Sequence, residues 1–499
     1  MRLSPAVMKW LPPVGYGLLL LSLQLLVAVP YIGHAIYLGD QLDQTNAFLL
    51  LVKGHWEFFY GPFMSGTTPP AHCLGPLGAV LFGLPTWLGA NPDQLHGLFI
   101  VLVSSGVLIL FRELYLQDRG LAYLWTAALL LMPSYWWHHS MLWANAFLLP
   151  LTCIELACFL RLWRKPSWTA WVMLLAVFVF GLHIHSSAIL GLVLVVLGAS
   201  VVAIARHKRP ADMVHKLVAI GLVVAATVPY LIAESSTHGA NFKAILANLG
   251  HFGAKPDHRE GLDAAVQAST KLWTSFLAPF DLSHPALWQL LVLVLLGGFC
   301  VVQITKSARE LYQKGLGANT ISLIWLTWAL VLAFQLAFYV AMNRELLSPH
   351  YTSFLIPYYA FPWAAAAKAL TTTPRRISQP WLQPGLAVVA LLAAWVLPRE
   401  PSLSNWNYTN ITSALSQICS EFGSVNTQED GPFRAYDERI DPLLMFVGKR
   451  YVPTCQFSKD SRHLLVPALQ AHPDATSFAG KSYKLVRAVP PGIGVYREQ

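Results

Sequence analysis

Asp40 is the residue of this chain that is best placed for acid–base chemistry. It follows the first apolar segment, in the run Tyr37 to Asp43, where a long polar connection begins. A carboxylate at a membrane surface can remove a proton from a hydroxyl group beside a substrate that is carried on a lipid. The alternative is an ordinary solvated acid at the start of a loop, and the position of Asp40 alone does not separate the two.

The composition assigns the chain to the integral membrane proteins. Of its 499 residues 55% are hydrophobic and 12% are charged, and the mean hydropathy is +0.49. Soluble domains carry about 25% charged residues. Many of the cations behind the net charge of +9 lie in short connections between apolar runs, which is an orientation signal. We therefore expect a lipid bilayer, and no nucleic acid, among the partners.

Apolar runs of about 20 residues predict about eleven membrane-spanning helices. The predicted spans are 11–29, 95–114, 120–134, 141–163, 169–187, 188–205, 217–234, 286–304, 320–341, 351–370 and 384–397. Basic connections alternate with short ones that carry no Lys or Arg, and the positive-inside rule makes the basic set cytoplasmic. The N-terminus is then cytoplasmic, and the 30–94 loop, the 235–285 loop and everything after 398 are external.

The sequence divides into a membrane domain, 1–397, and an external α/β domain, 398–499. The 30–94 loop of the membrane domain should carry an interfacial helix over 44–59 and a second surface or re-entrant helix before residue 88. In the external domain we expect strands at 433–436, 482–489 and 494–496 and helices at 441–449 and 462–470. An oxidising compartment permits a disulfide between Cys419 and Cys455, and it leaves Cys73 unpaired.

Five segments carry a family resemblance through their order along the chain. They are the Gly39-Asp40 loop, the turn Pro69-Pro70-Ala71-His72-Cys73-Leu74-Gly75-Pro76-Leu77, the segment from Ser140 through Asn145 to Pro150, the turn from Gly181 through His183 to Ser187, and the segment from Arg344 through His350-Tyr351 to Pro357. In this order they resemble the GT-C glycosyltransferases. The most similar members are bacterial relatives of protein O-mannosyltransferases and of the lipid A aminoarabinose transferase.

The resemblance implies transfer of a sugar from a polyprenyl-phosphate donor to a hydroxyl group of a lipid, glycan or protein acceptor. Asp40 would be the general base of an inverting reaction, with Asp43 as a second acid. Four residues would bind the donor phosphate: Lys53, Arg344, His350 and Tyr351. Five would contact the substrates: His55, His72, His139, Asn145 and His183. No cofactor and no metal are implied.

Two departures from the family pattern affect the acids. Many members have Asp-Glu at the loop acid, whereas Gln41 follows Asp40 here, and the second acid is then Asp43. Many members also carry an acid in the second external loop, where this chain has Asn145. A two-acid scheme therefore does not transfer directly.

Each candidate also has a simpler interpretation. Lys53 could contact lipid headgroups, Arg344 could anchor the end of a span, and His350 could be a hydrogen-bonded packing histidine. His138-His139 and His183-x-His185 invite a metal site, but their spacing on helices favours interfacial hydrogen bonding. Glu155 lies inside a span, where it should be paired or protonated, and a hydrogen bond to a neighbouring span is preferred over a proton relay.

The expected function is that of a multi-pass glycosyltransferase of the bacterial inner membrane, acting as a monomer on the external, periplasmic face. The alternatives are a transporter or flippase of a lipid-linked glycan, and a glycan polymerase or ligase that uses a lipid-diphosphate donor. A transporter should show inverted repeats with broken helices, and the sequence shows no internal repeat. A polymerase or ligase should rest on a large basic external loop, and 235–285 is only mildly basic.

Overall fold

The computed structural model describes the chain in separate stretches. They are 39–55, 59–60, 75–132, 134–136, 144–165, 167–185, 212–251, 287–342, 354–371, 408–427, 454–457, 461–467, 474–478, 481–490 and 493–499, with single residues and short pieces elsewhere, including helical residues between 15 and 28.

The region up to residue 371 is helical wherever it is described. In chain order its helices are α1 (Gly39–Val52), α2 (Leu77–Trp87), α3 (Pro92–Gln117), α4 (Arg119–Leu131), α5 (Leu148–Arg164), α6 (Trp168–Ile184), α7 (Asp212–Ser236), α8 (Ala240–His251), α9 (Leu287–Lys314), α10 (Thr320–Met342) and α11 (Ile356–Thr371). A short 3₁₀ helix, Ala144–Phe147, runs directly into α5. Two segments in the described ranges are long and apolar enough to cross a membrane, Pro92–Gln117 and Ala144–Arg164, so the count of eleven spans stays a prediction.

Helix α5 forms the centre of the bundle. Nearly all of its side chains are buried, and it packs on α3 and α6. The backbones of α3 and α5 approach closely at Gly106, where a Cβ atom would lie 2.8 Å from both Cα and O of Pro150. Two indole groups link helices α4 and α5 to later parts of the chain. Trp125 donates to the carbonyl of Pro357 in α11, and Trp163 donates to the carbonyl of Ala318 before α10, each at 3.0 Å.

Ion pairs gather at one end of the bundle. Arg164 of α5 donates to the buried carboxylate of Glu113 in α3 at 2.8 Å, and Arg112 donates to the same carboxylate. Asp118, which caps α4 through the amide of Leu121, also pairs with Lys368 of α11. We call this the basic end of the bundle, defined by Arg112, Arg164 and Lys368.

The chain after residue 407 folds as one helix and a six-stranded sheet in the described residues. These elements are α12 (Tyr408–Phe422), β1 (Ser424–Thr427), β2 (Gln456–Phe457), β3 (His463–Pro467), β4 (Ala475–Phe478), β5 (Lys481–Val489) and β6 (Ile493–Glu498). The strand order is β2-β1-β3-β6-β5-β4, with β1 parallel to β2 and β3 and the remaining neighbours antiparallel. Cys419 of α12 is joined to Cys455 by a disulfide, with the Cα atoms 5.0 Å apart.

The prediction of a helix over 462–470 is wrong, because β3 occupies 463–467. Leu464 and Leu465 are both buried, so this strand has apolar contacts on its two faces. A short apolar run of this kind has no period that separates a buried strand from a buried helix. The strands predicted at 482–489 and 494–496 correspond to β5 and β6, whereas 433–436 and 441–449 lie outside the described residues.

Candidate active site

Asp40 lies in the first turn of a helix rather than in a loop. Helix α1 begins at Gly39, five residues before the predicted interfacial helix, so both Asp40 and Asp43 are helical. A carboxylate in the first turn is favoured by the positive end of the helix dipole. Positions 40 and 43 are three residues apart and belong to the same side of an α-helix.

The two helices of the first loop, α1 and α2, pack against each other at glycines. Gly83 of α2 lies directly against the Phe48 ring of α1. Gly78 lies between Gln44 and α6, because a Cβ atom there would be 2.9 Å from Oε1 of Gln44 and 3.3 Å from the carbonyl oxygen of His183. The helix that carries Asp40 is therefore connected through α2 to the end of α6.

Gly75, which follows the Pro69-Pro70 segment in the sequence, lies against His183. Gly75 lies directly on the imidazole ring, so no side chain could be accommodated at this position. His183 is 2% exposed, and its Nδ1 has no hydrogen-bond partner among the described residues. Two segments of the resemblance that are more than a hundred residues apart thus meet here.

Asn145 joins the same region from the 3₁₀ helix that precedes α5. Its side chain is buried, and the 3₁₀ helix packs against α6. Phe147 contacts Phe82 of α2 edge-to-face, with ring centroids 5.5 Å apart. We call this the site end of the bundle, defined by Gly75, Asn145 and His183. It lies opposite the basic end because α3, α5 and α6 connect the two.

Lys53 and His55 lie at the far end of α1. The helix ends in a Schellman motif, in which His55 N donates to Leu50 O at 3.1 Å and Gly54 N donates to Leu51 O at 3.0 Å. Gly54 has φ +92°, which favours glycine. At 1.5 Å rise per residue, Asp40 and Lys53 are about 20 Å apart along the helix. The structure therefore does not bring Lys53 to the proposed base.

Five of the predicted site residues fall outside the described residues: His72, His139, Arg344, His350 and Tyr351. The described part of the chain contains no group of three or more His, Cys, Asp or Glu side chains that could hold a metal ion. His183 is the penultimate residue of α6 and His185 is its C-cap.

The expected hydrogen bond from Glu155 to a neighbouring span is not present among the described residues. Both carboxylate oxygens are buried inside the bundle and neither has a partner there. The sequence predicted that Glu155 is either paired or protonated, and the described residues provide no partner for its carboxylate. The free thiols of Cys153, Cys158 and Cys300 are buried in the same bundle, as expected of small apolar groups.

Sequence reasoning missed a polar cluster that links the first loop to the corner between α7 and α8. The hydroxyl groups of Tyr60 and Thr237 share a hydrogen bond, and the rings of Tyr60 and Tyr230 meet edge-to-face at 5.8 Å. Tyr230 donates to Glu234 at 2.6 Å and Asn241 donates to Tyr230 at 3.3 Å. The spacing of Tyr230 and Glu234, four residues apart on a predicted helix, was the available signal.

The corner itself has an unusual backbone. His238 and Gly239 both have positive φ, 53° and 74°, and Gly239 N donates to Glu234 O at 2.8 Å. Burial raises the pKa of the Tyr60 phenol, and the Glu234 carboxylate acts in the same direction. The phenol therefore stays protonated near neutral pH and remains available as a hydrogen-bond donor.

No family model matches the chain, and the comparison with curated proteins finds no match either. Among solved structures, the chain is similar to ArnT from Cupriavidus metallidurans bound to undecaprenyl phosphate. The similarity covers 97% of this chain and 98% of that one, with 14% sequence identity and a TM-score of 0.41. ArnT is the lipid A aminoarabinose transferase, a GT-C glycosyltransferase.

Proposed function

We propose that this chain is an integral membrane glycosyltransferase that uses a polyprenyl-phosphate sugar as its donor. The observation that carries the proposal is the meeting of the resemblance-bearing segments at one end of the bundle. Helix α1 with Asp40, the turn at Gly75, Asn145 and His183 are distant in sequence and connected in space. A common site at this end accounts for that meeting.

The proposed reaction is a single inverting displacement at the anomeric carbon. The acceptor hydroxyl oxygen forms the new bond to that carbon, and Asp40 takes the hydroxyl proton. The bond from the anomeric carbon to the phosphate oxygen breaks, and its electron pair leaves with the polyprenyl phosphate. Because the leaving group is already a phosphate, no strong general acid is required. Asp43, one turn along α1, would orient the acceptor.

Cations must stabilise the phosphate as charge builds on it. Lys53 is about 20 Å along α1 from Asp40, which favours Arg344, His350 and Tyr351 for this role. Lys53 and His55 are exposed in the turn after α1, and contact with lipid headgroups suits them better. His72, His139, Asn145 and His183 remain the proposed substrate contacts.

The proposed orientation has the basic end in the cytoplasm and the site end on the external face. Support comes from the cations Arg112, Arg164 and Lys368, which lie together at the end opposite His183. The α/β region then forms a periplasmic domain, and Thr409 of α12 contacts Asp93 at the start of α3, near the site end. An external active site has no nucleotide pool, which is consistent with a donor carried on a lipid.

The test is sugar transfer in membranes that contain the expressed chain. Radiolabelled undecaprenyl-phosphate mannose, glucose and aminoarabinose are supplied separately, and loss of label from the donor into other products is followed. Asp40→Asn should lower transfer at least about 100-fold, because general-base catalysis contributes about 10²–10⁴-fold. Asp43→Asn should cost less, and Arg344→Ala should weaken use of the donor.

Variants are compared at equal amounts of inserted protein. Transfer by Asp40→Asn at the wild-type rate would overturn the proposed base and turn attention to Asp43. If the wild-type chain uses none of the three donors and also leaves label from a total polyprenyl-phosphate-sugar extract untouched, the glycosyltransferase proposal is wrong.

A further inference from the structure

We propose that Gly78 and Gln44 form a positioning pair that fixes the helix of the catalytic base. This inference rests on the proposed function, because it assigns to Gly78 and Gln44 the placement of Asp40 in the same site. Neither residue would contact the substrates. Their role would be to set the distance between helix α1 and the end of α6.

The geometry at Gly78 makes any side chain there crowded on two sides. A Cβ atom would lie 2.9 Å from Oε1 of Gln44 on one side and 3.3 Å from the carbonyl oxygen of His183 on the other. The contact is with the end of the Gln44 side chain, which is 3% exposed, so its amide is enclosed by neighbouring groups that oppose its rotation away from the added methyl group. The His183 carbonyl belongs to the backbone of α6 and cannot turn aside. A methyl group at Gly78 would therefore act as a wedge between α1 and α6.

A displacement at Gln44 reaches Asp40 because the two belong to one continuous helix. Gln44 is four residues after Asp40, one turn along α1. Ordinary contact begins at 3.4 Å, so Oε1 of Gln44 must move by about 0.5 Å, and the proposal is that the enclosed side chain passes this movement on to α1. The neighbouring contact of Phe48 with Gly83 holds the second half of α1, so the N-terminal half is the part that can tilt. A 1 Å error in the placement of a catalytic group can cost about 100-fold in rate.

Gly106 provides the matched control. A Cβ atom at Gly106 would be 2.8 Å from Cα and O of Pro150, which are backbone atoms, so this site is more crowded than Gly78. This contact joins α3 to α5 and involves neither α1 nor α2. Gly106→Ala should therefore lower stability in a way that Gln44→Ala does not relieve.

The experiment compares Gly78→Ala, Gln44→Ala, the double variant and Gly106→Ala with the wild-type chain in detergent. For Gly78→Ala we expect kcat per folded molecule to fall about 10-fold or more, with KM for the donor within about twofold. Gln44→Ala removes the crowded amide, so the double variant should recover to the level of Gln44→Ala alone. Gly106→Ala should melt at a lower temperature, and adding Gln44→Ala should not restore its stability.

Melting temperatures of the same variants test the contact without any substrate. Gln44→Ala and Gly78→Ala should be non-additive, because the first relieves the clash that the second creates. A wild-type kcat in Gly78→Ala, a double variant that does not recover, or additive melting shifts would each overturn the inference. Failure of the wild-type chain to use any donor would instead refute the proposed function, and the melting cycle would still decide whether this pair holds α1.

Discussion

Glu113 offers a direct test of how the bundle is held together. Its carboxylate is 3% exposed and lies between two guanidinium groups, with Arg112 at 2.5 Å and Arg164 at 2.8 Å. The contact with Arg164 joins α3 to α5, the central helix. Glu113→Gln keeps the size of the side chain, removes its charge and replaces one of the two accepting oxygens with an NH2 donor.

The expected loss of stability follows from the exposure of the partners. Removing one member of a buried ion pair costs about 3–5 kcal/mol. The side chains of Arg112 and Arg164 are 48% and 33% exposed, so water screens the charge that is left behind. We therefore expect Glu113→Gln to lower the free energy of unfolding by about 2 kcal/mol. In a large chain this corresponds to a fall of roughly 4 °C in Tm.

Thermal unfolding in detergent measures this change, and Glu498→Gln serves as the matched control. Glu498 pairs with Lys481 at 3.0 Å, but the two side chains are 27% and 50% exposed. Exposed pairs contribute about 0.2–1 kcal/mol, so the control should melt within about 1 °C of the wild-type chain. If Glu113→Gln and Glu498→Gln melt at the same temperature, the reasoning from burial is refuted.

Three further predictions concern the external region and the topology. The Cys419–Cys455 disulfide closes a loop of about 35 residues, which should stabilise the α/β region by roughly 3–4 kcal/mol. Cys419→Ser should therefore lower the Tm of this region. Mass spectrometry that finds free thiols at Cys419 and Cys455 in the native protein would contradict the bond. Burial lowers the pKa of His463, so the unfolded chain binds the proton more readily than the folded one. Protease resistance of this region should therefore fall as the pH drops below the ordinary histidine pKa near 6.5. A resistance that is unchanged by acid, or that changes equally in His463→Gln, would refute this. Single cysteines in 235–285 should react with an impermeant reagent added from outside, and those in 206–216 should not; the reverse pattern would invert the proposed orientation.

The sequence predicted where two helices of the bundle begin and end, because long apolar runs mark such positions locally. The predicted spans 320–341 and 169–187 differ from α10 and α6 by at most three residues at either end. Hydropathy sets these positions locally, without reference to the rest of the chain.

The start of α1 was not predictable by the same means. Gly39 and the polar run after it read as a loop, whereas the structure continues them as a helix because Gln44, Thr45 and Phe48 are buried against neighbouring elements. The distance from Asp40 to Lys53 depends on that helix, so their separation was hidden as well. Tertiary burial overrides local signals of this kind.

The polar clusters were hidden because they join distant parts of the chain. Glu113 and Arg164 are 51 residues apart and Tyr60 and Thr237 are 177 apart. Their residue types are ordinary, and only the packing of α3 on α5, or of the first loop on α7, brings them together. Conversely, the Cys419–Cys455 pairing was accessible, since the predicted external domain contained no other cysteines.

The ion pair between Asp118 and Lys368 can form only late in the synthesis of this protein. The two residues are separated by 250 positions, which a ribosome adds in roughly 10–50 s. During that interval Asp118 already has a partner, because its carboxylate accepts the Leu121 amide at the start of α4. Arg164 follows Glu113 by 51 residues, so the Glu113–Arg164 bridge can form as soon as α5 has been made. Helices α3 and α5 can therefore pack together before α11 has been synthesised. When Lys368 arrives, the Asp118 carboxylate with which it pairs is already positioned by its hydrogen bond at the start of α4.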